Sequence, residues 1–357
     1  MFKMKKITLS LLALLLVMSF ASCASDTTSD LPLPSKDMKA YLQVKVTVEG
    51  SGDTRASRAA TEPKGGEDGD GREKGINKEN DVNSLTVLLY KSDKDDLSEA
   101  DATIDYVYTF TGLKSSSSTG GVTYTTGPRE IDAAIVDKNY HVIVIANADD
   151  MTSRCKGNKI SEIRDLQMSK VCTRDADITK FSNFIMSSKK DARIDFTTKK
   201  GSETDPYLVE VDIERLAARI DIIPTATYNE TDKGYYYNVM DGTNVVGGFK
   251  LESVTPSKVL TNGEYLIKRV SPDKALTSIT YFGEEEMDAT SKASTNYVVC
   301  PWTKDRSGLT LSNAEGPASL YDVKNVASSK SYILDYVMEN TTTDNDVANS
   351  TGLIFKG

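Results

Sequence analysis

One short stretch near the start of the chain has the pattern of a β-strand and yet stands apart from the rest of the sequence. Over residues 40–48 apolar side chains alternate with polar ones, and this period of two predicts a half-buried strand. The apolar members are Leu42, Val44, Val46 and Val48. Residues 49–81 hold almost no large apolar side chains, so we expect them to be disordered, because they cannot bury enough surface to offset their chain entropy. The strand is therefore isolated from the body of the protein by a long linker.

The first residues of the chain have the order of a secretory signal. Lys3, Lys5 and Lys6 precede the apolar run 7–17, and small residues then lead to Cys23. This order predicts export, and its end is typical of a bacterial lipobox, in which the signal 1–22 is removed and Cys23 is acylated. An ordinary signal peptide with a chance cysteine is the alternative, whereas the run is short for a transmembrane helix. We expect a lipid-anchored protein at the envelope surface.

Composition argues against several classes of function. The chain of 357 residues carries a net charge of −9, which disfavours nucleic-acid binding. Its single histidine, His141, lies in a predicted strand and is expected to be structural, so most nucleophile–base and metal chemistry is removed. Phosphate-loop and Gly-x-Ser-x-Gly motifs are also missing from the sequence. We therefore expect no enzyme, no cofactor and no metal, although a pair of carboxylates distant in sequence stays open.

The cysteines do not form a recognisable motif. Cys155, Cys172 and Cys300 follow Cys23 at irregular spacings, which fits neither a zinc site nor a redox pair. Cys155 and Cys172 could form a disulfide in an oxidising compartment, or both could be small, half-buried hydrophobic residues. The sequence does not decide between these alternatives, because it does not fix the Cα geometry that a disulfide needs.

From residue 82 onward the pattern is mainly that of short strands. Clear candidates are 82–90, 106–110, 121–126, 130–136, 140–146 and 207–223, the last with a break near Leu216, while 160–190 is expected to be helical or irregular. Later candidates are 248–254, 265–270, 294–300 and 331–339. Many short strands between turn residues predict an all-β fold of two β-sandwich domains. The predicted units are 1–22 (signal), 23–81 (tether, first strand and linker), 82–204 (first domain) and 205–357 (second domain).

Five features together resemble the fimbrillin family, the FimA-like and Mfa-like lipoprotein subunits of type V pili. They are the lipobox at Cys23, the detached strand 40–48, the arginines Arg55 and Arg58, the strand that ends at Asn147, and Ile213-Glu214-Arg215-Leu216-Ala217-Ala218-Arg219-Ile220. The Glu-Arg-x-x-Ala-Arg core of the last segment is the most specific. A Glu-Asn-Thr segment at 339–341 also looks like the late part of Mfa-like members.

The resemblance implies two transthyretin-like β-sandwich domains in tandem and a role in adhesion without catalysis. It implies a palmitoylated precursor at the outer membrane, from which an arginine-specific protease removes the first strand. Arg55 or Arg58 would be the cleavage position, with a slight preference for Arg55. Leu42, Val44, Val46 and Val48 would form the removable plug, and a strand of another pilus subunit would take its place in a surface fimbrium. Host or bacterial surface receptors would be further partners.

The resemblance also has a departure and an alternative. Family members continue through further strands that supply the donor strand, whereas Leu353-Ile354-Phe355 near residue 357 is too short to fill a long groove. The polymerisation step and the completeness of the second sandwich are therefore open.

The alternative is a surface lipoprotein that does not polymerise, either a pilus anchor or accessory subunit or a glycan-binding protein. For glycans, Tyr235, Tyr236, Tyr237 and Trp302 are the candidate aromatic residues, although ordinary packing would also explain them.

Overall fold

The computed structural model shows an all-β protein, as the sequence pattern predicts. It describes residues 39–48, 77–92, 102–118, 121–174, 181–222, 225–226, 228–232, 234–262, 264–267, 279–280, 286–287, 310–312, 318–319, 332–338, 340 and 350–357. Helices in these ranges are short: two 3-10 helices, Asn77–Asn80 and Ala133–Ile135, and two α-helices, α1 (Thr152–Cys155) and α2 (Ile160–Arg164). None of them is long and apolar enough to cross a membrane. The tandem of transthyretin-like sandwiches stays a prediction.

The strands fall into two groups, one on each side of Leu216. Up to that point they are β1 (Ala40–Val48), β2 (Ser84–Lys91), β3 (Ile104–Thr111), β4 (Lys114–Ser118), β5 (Gly121–Thr125), β6 (Arg129–Ile131), β7 (Tyr140–Ala146), β8 (Gln167–Met168), β9 (Thr173–Arg174), β10 (Phe181–Ser182), β11 (Met186–Ser188), β12 (Ala192–Arg193) and β13 (Tyr207–Arg215). Beyond it they are β14 (Ala217–Ile222), β15 (Tyr228–Asn229), β16 (Gly234–Asp241), β17 (Asn244–Leu251), β18 (Ser253–Ser257), β19 (Val259–Asn262), β20 (Glu264–Tyr265), β21 (Ile279–Thr280), β22 (Glu286–Met287), β23 (Thr310–Ser312), β24 (Ala318–Ser319), β25 (Tyr332–Met338) and β26 (Gly352–Lys356).

Most of the early strands form one ten-stranded sheet. Its order is β3-β2-β7-β11-β13-β1-β5-β4, with β12 also paired to β7 and β6 also paired to β1. Inside this sheet, between β2 and β11, β7 is buried along its whole length, because its β-branched residues pack on both faces. β1 and β13 instead alternate between buried and more exposed positions. The core of this sheet contains most of the buried apolar residues of the described chain.

Smaller sheets follow the large one. They are β14-β25, β15-β16-β17, β24-β18-β26, β19-β23 and β21-β22, while β8-β20 joins an early strand to a late one. A second and much smaller core lies here, formed by Tyr235, Leu251, Val254 and Leu334. The described second half is therefore built around far fewer buried side chains than the first.

Two predicted strand boundaries were wrong, and one strand pairs across a predicted domain boundary. β13 begins the second predicted domain (205–357), and it pairs with β1 and β11 of the first sheet. The strand expected over 130–136 ends at Ile131, because Asp132 caps a 3-10 helix by accepting the N–H of Ala134 at 2.9 Å. The strand expected over 248–254 divides at Glu252 into β17 and β18.

The predicted linker is also shorter than expected. Residues 77–81 are ordered rather than disordered: Asn77–Asn80 form the first 3-10 helix, in which Glu79 and Asn80 are buried. Their hydrogen-bond partners, Arg215, Arg219 and Tyr336, lie far away in the sequence. The local composition of the linker therefore does not reveal that Glu79 and Asn80 are buried.

Candidate functional site around the first strand

The first strand is not at the edge of the sheet but inside it. β1 runs parallel to β13, with Leu42 opposite Tyr207 and Val48 opposite Ile213. On its other side it runs antiparallel to β5 and to β6. β1 therefore fills the gap between two parts of the same sheet, and removing it would leave two unpaired strand edges facing each other.

The four predicted plug residues are all on the inner face of β1. Leu42, Val44, Val46 and Val48 have exposed fractions of 0%, while Gln43, Lys45 and Thr47 between them are half-buried. This is the alternation that a strand with one face on a core must have. Burial of each such side chain is worth roughly 1.5–3 kcal/mol before entropy is subtracted.

Thr126 bridges the interruption between β5 and β6. Its N–H donates to the carbonyl oxygen of Val44 at 2.9 Å, and its hydroxyl oxygen accepts the N–H of Val44 at 3.0 Å. The Thr126 carbonyl also accepts from Nε2 of Gln43 at 2.9 Å. The hydrogen bonding of β1 thus continues past the segment 126–128, in which Pro128 has no N–H to donate.

The amino end of β1 is held by a tight contact with Gly201. The N–H of Tyr41 donates to the Gly201 carbonyl at 2.8 Å. Gly201 has a φ of +70°, and a Cβ at this position would overlap the ring of Tyr207, which in turn packs edge-on against Phe196 at 4.9 Å between ring centroids. Only glycine satisfies both the backbone angle and the lack of space.

Ion pairs on the outer face add little to this binding. Lys39 Nζ lies 2.9 Å from Glu130 Oε2, and Lys45 Nζ lies 2.8 Å from Glu210 Oε1. The hydrogen bond to Glu130 raises the pKa of Lys39. Both pairs are solvent-exposed, and such pairs contribute about 0–1 kcal/mol. The buried apolar face and the main-chain hydrogen bonds therefore account for most of the stability of β1 in the sheet.

Beyond the carboxyl end of β1 lies a buried polar cluster, which we call the clasp and define as Glu79, Asn80, Arg215, Arg219 and Tyr336. Glu79 is 3% exposed; its Oε1 accepts from Nη1 of Arg219 at 2.9 Å and from the hydroxyl of Tyr336. Nη1 of Arg215 donates to Oδ1 of Asn80. The two arginines of the Glu-Arg-x-x-Ala-Arg motif thus hold the segment that follows the linker.

The clasp also connects the two halves of the chain. Tyr336 of β25 packs edge-on against Phe181 and Phe184 of the first half, with 4.6 Å between ring centroids in each case. Burial, followed by the Glu79 charge, raises the pKa of Tyr336. Burial acts to lower the pKa of Arg219, but Glu79, Asp221 and Tyr336 together outweigh it and the pKa is raised. Both groups therefore keep their protons, as their hydrogen bonds to Glu79 require.

The geometry places both ends of the linker at one end of the sheet. Val48, which precedes the linker, lies opposite Ile213 of β13. Asn80, which follows the linker, is bound by Arg215, two residues after Ile213 on the same strand. The predicted cleavage residues Arg55 and Arg58 belong to this linker but lie outside the described residues, as does the predicted lipidation residue Cys23. A cut at either arginine would separate β1 from the clasp.

The cysteines and the histidine that the sequence offers as candidates are packed inside the fold. Cys155 is buried and Cys172 is half-buried, and both are free thiols, so the possible disulfide between them is not formed. Burial raises the pKa of Cys155 to about 11 and that of Cys172 to about 12, which disfavours the reactive thiolate at neutral pH. His141 is 2% exposed within β7 and stacks on Tyr90 at 5.0 Å.

The aromatic candidates for glycan binding do not form one surface. Tyr235 belongs to the second core, whereas Tyr236 is exposed on the opposite face of β16 and Tyr237 is half-buried. Trp302 lies outside the described residues. Among the described residues no group of three or more His, Cys, Asp or Glu side chains is arranged to hold a metal ion.

Comparison with known proteins agrees with the family resemblance. Residues 40–207 match the family model described as Major fimbrial subunit protein (FimA), which confirms the predicted resemblance to fimbrillins over this part of the chain. The match begins with β1 and ends where β13 begins. It supports a fimbrial role at the cell surface and contact with other pilus subunits. No curated protein matches the chain.

Several solved structures are similar to the chain at low sequence identity. A candidate cell adhesion protein from Parabacteroides distasonis is 15% identical, with a TM-score of 0.39 over 88% of this chain and 74% of that one. One from Bacteroides eggerthii is 13% identical, with a TM-score of 0.38 over 90% and 80%. A candidate adhesin from Bacteroides ovatus is 10% identical, with a TM-score of 0.31 over 63% and 57%.

Proposed function

We propose that this chain, whose residues 40–207 match the FimA family, is a structural subunit of an adhesive fimbrium and not an enzyme. In this proposal β1 is a temporary occupant of the sheet, which a strand of a neighbouring subunit replaces. One observation carries the proposal: the first described strand lies inside the sheet, between β13 and β5, and its apolar face is fully buried. Because β1 precedes every other described strand, a single cut after it is enough to free it from the rest of the sheet.

Loss of β1 would create a strong binding site for another strand. The edges of β13 and of β5 and β6 would present unpaired N–H and C=O groups, which template the addition of a strand. The vacated pockets of Leu42, Val44, Val46 and Val48 would expose apolar surface to water. Main-chain hydrogen bonds would then provide affinity and the alternate pockets would provide specificity. Repetition of this exchange from subunit to subunit builds a fibre.

Release of β1 requires a cut between it and the clasp. We propose that the precursor is anchored in the outer membrane through acylated Cys23 and that an arginine-specific protease cuts after Arg55 or Arg58. Both arginines follow β1 and precede Glu79. Because the clasp holds Glu79 and Asn80, the subunit would stay folded around these two residues after the cut.

The intact mass of the protein recovered from the cell surface tests this proposal. We expect a chain without lipid that begins at Ala56 or Ala59. The matched control is the double variant Arg55→Lys, Arg58→Lys, which keeps both positive charges but removes the arginine side chains, and which should keep acylated Cys23 and residues 40–48. If the unaltered protein at the surface always begins at acylated Cys23, the proposed processing is wrong and a fixed lipoprotein would take its place.

A further inference from the structure

Three strands of the large sheet are joined to the rest of it through β1. Among the described strands, β4 pairs with β5, β5 pairs with β4 and β1, and β6 pairs with β1. We call β4, β5, β6 and the segment 126–128 the strap. The hydrogen bonds that Thr126 forms with Val44 and Gln43 also lead to β1. The strap therefore depends for its place in the sheet on the strand that the proposed function removes.

The strand on the other side of β1 is held independently. Residues 213–215 of β13 pair with β11, and the N–H of Lys189 donates to the carbonyl oxygen of Asp212 at 2.9 Å. Nearer its amino end, Leu208 of β13 forms a bridge with Asp195. When β1 leaves, β13 would therefore keep its position, whereas the strap would keep no strand pairing to the rest of the described sheet.

The strap has a fixed base at one end and a glycine at the other. After β6, Asp132 accepts the hydroxyl hydrogen of Tyr106 at 3.1 Å, and Ile135 is fully buried. Before β4, Gly112 has a φ of +65°, and a Cβ at this position would meet nothing within 4 Å. Glycine adopts such backbone angles readily, and a hinge consists of a few loop residues that absorb changes in φ and ψ. The strap would therefore move about ends that remain attached to the core.

The composition of the strap suits an element that is exposed to water for part of the time. β4 consists of Lys114 and four serines, and residues 114–117 are exposed. Lysine on an edge strand disfavours pairing with other chains. The buried apolar side chains of the strap are Tyr124 and Ile131, and the Tyr124 hydroxyl hydrogen-bonds to the backbone of Val82. Opening of the strap would therefore expose few large apolar side chains.

We propose that the strap opens when β1 leaves the sheet and closes over the strand that takes its place, an inference that rests on the proposed function. The incoming strand first pairs with the edge of β13, which is already in position. The strap then pairs with the other side of that strand, where Thr126 repeats the contacts that it makes with Val44 and Gln43 of β1. Capture therefore depends on β13 and retention depends on the strap, because each supplies one row of main-chain hydrogen bonds.

Amide hydrogen exchange, followed residue by residue by NMR, tests the opening in a chain cut at a specific protease site placed in residues 49–76. We expect the amides that join β4 to β5 to exchange as fast as those of β1, because a two-stranded hairpin is at best marginally stable on its own. The amides that join β11 to β13, on the other side of β1, are the matched control and should exchange roughly 10-fold more slowly or less. If the β4–β5 amides exchange as slowly as this control, the strap stays closed without β1 and the proposal is overturned.

Release of a fluorescent peptide with the sequence of residues 40–48 tests retention. We expect the peptide, once exchanged into the cut chain, to leave Thr126→Val roughly 5-fold faster or more than the unaltered chain, because the N–H of Val44 loses its acceptor on the strap. The matched control Thr123→Val removes a hydroxyl that donates to the Ser116 carbonyl within the strap at 3.2 Å, and should leave the release rate unchanged. Equal release from the two variants would overturn the part of the strap in retention.

The same two measurements separate this inference from the proposed function. Entry of the peptide while the β4–β5 amides stay protected throughout would overturn the strap and leave strand exchange intact. A cut chain that takes up no peptide would overturn strand exchange, and the amides would still decide whether the strap opens. Equal thermal unfolding of Thr126→Val and Thr123→Val before the cut is the control for folding.

Discussion

Shortening one side chain of β1 would measure how much the fold depends on this strand. Leu42 is fully buried and lies between Tyr207 of β13 and Arg129 of β6 in the sheet register. Replacing a buried leucine by alanine costs about 2–5 kcal/mol, because transfer free energy is lost and a cavity remains. We expect Leu42→Ala to lower the free energy of unfolding of the uncut chain by that amount, which urea titration measures.

The same change should weaken the hold on β1 once the linker has been cut. At 1.4 kcal/mol per tenfold, the loss corresponds to roughly 30-fold to several-thousand-fold weaker retention of the strand. The assay is the exchange of β1 for a fluorescent peptide with the sequence of residues 40–48, after cleavage at a specific protease site placed in residues 49–76. It reads the release of this strand directly.

Lys45→Ala is the matched control on the same strand. Lys45 is on the outer face and pairs with Glu210 while more than a third of its side chain is exposed, so its removal should cost about 1 kcal/mol or less. Leu42→Ala should therefore exchange β1 much faster than Lys45→Ala does. If the two variants exchange at the same rate, the inner face of β1 does not determine its retention and the reasoning fails.

Two further substitutions test the surroundings of β1, each against a control within the chain. Gly201→Ala and Gly112→Ala both place a Cβ at positive φ, +70° and +65°, but only at Gly201 does that Cβ overlap a neighbour, the Tyr207 ring. Because overpacking costs about 1–3 kcal/mol, urea titration should show Gly201→Ala to be less stable than Gly112→Ala by about this amount. Equal stabilities of the two variants would contradict the tight contact. Glu79→Gln removes the charge from a buried ion pair and should lower the free energy of unfolding by about 3–5 kcal/mol. Glu130→Gln, which removes a charge from an exposed pair, should lower it by about 0–1 kcal/mol. Comparable melting temperatures of the two variants would show that the clasp does not stabilise the fold.

Local patterns in the sequence predicted the strands but not their neighbours. The alternation in β1 and β13 and the apolar run of β7 follow from one-sided and two-sided burial, and Leu216 was identified as a break. A period of two shows that one face of a strand is buried, but it does not show whether the strand lies at an edge or in the middle. That β1 lies between β13 and β5 depends on pairing between residues far apart in the sequence, which only the assembled sheet reveals.

The clasp shows the same limit for polar residues. Glu79 lies at the end of a polar, glycine-rich stretch, and nothing in its local sequence distinguishes it from solvated acids nearby. Its buried state depends on Arg219 and Tyr336, which are 140 and 257 residues away. The Glu-Arg-x-x-Ala-Arg motif was recognised by resemblance, but its role in binding the end of the linker could be found only from the structure.

The register of β1 sets a requirement on any strand that could replace it. A shift of one residue would turn the whole set of side chains to the other face, so the replacement must carry apolar residues at four alternate positions, to match Leu42, Val44, Val46 and Val48. β26 does not meet this requirement, because Leu353 and Phe355 share one face while Ile354 lies on the other, and it is already paired with β18. In the proposed exchange, the incoming strand must therefore come from a segment with a longer alternation than β26 provides.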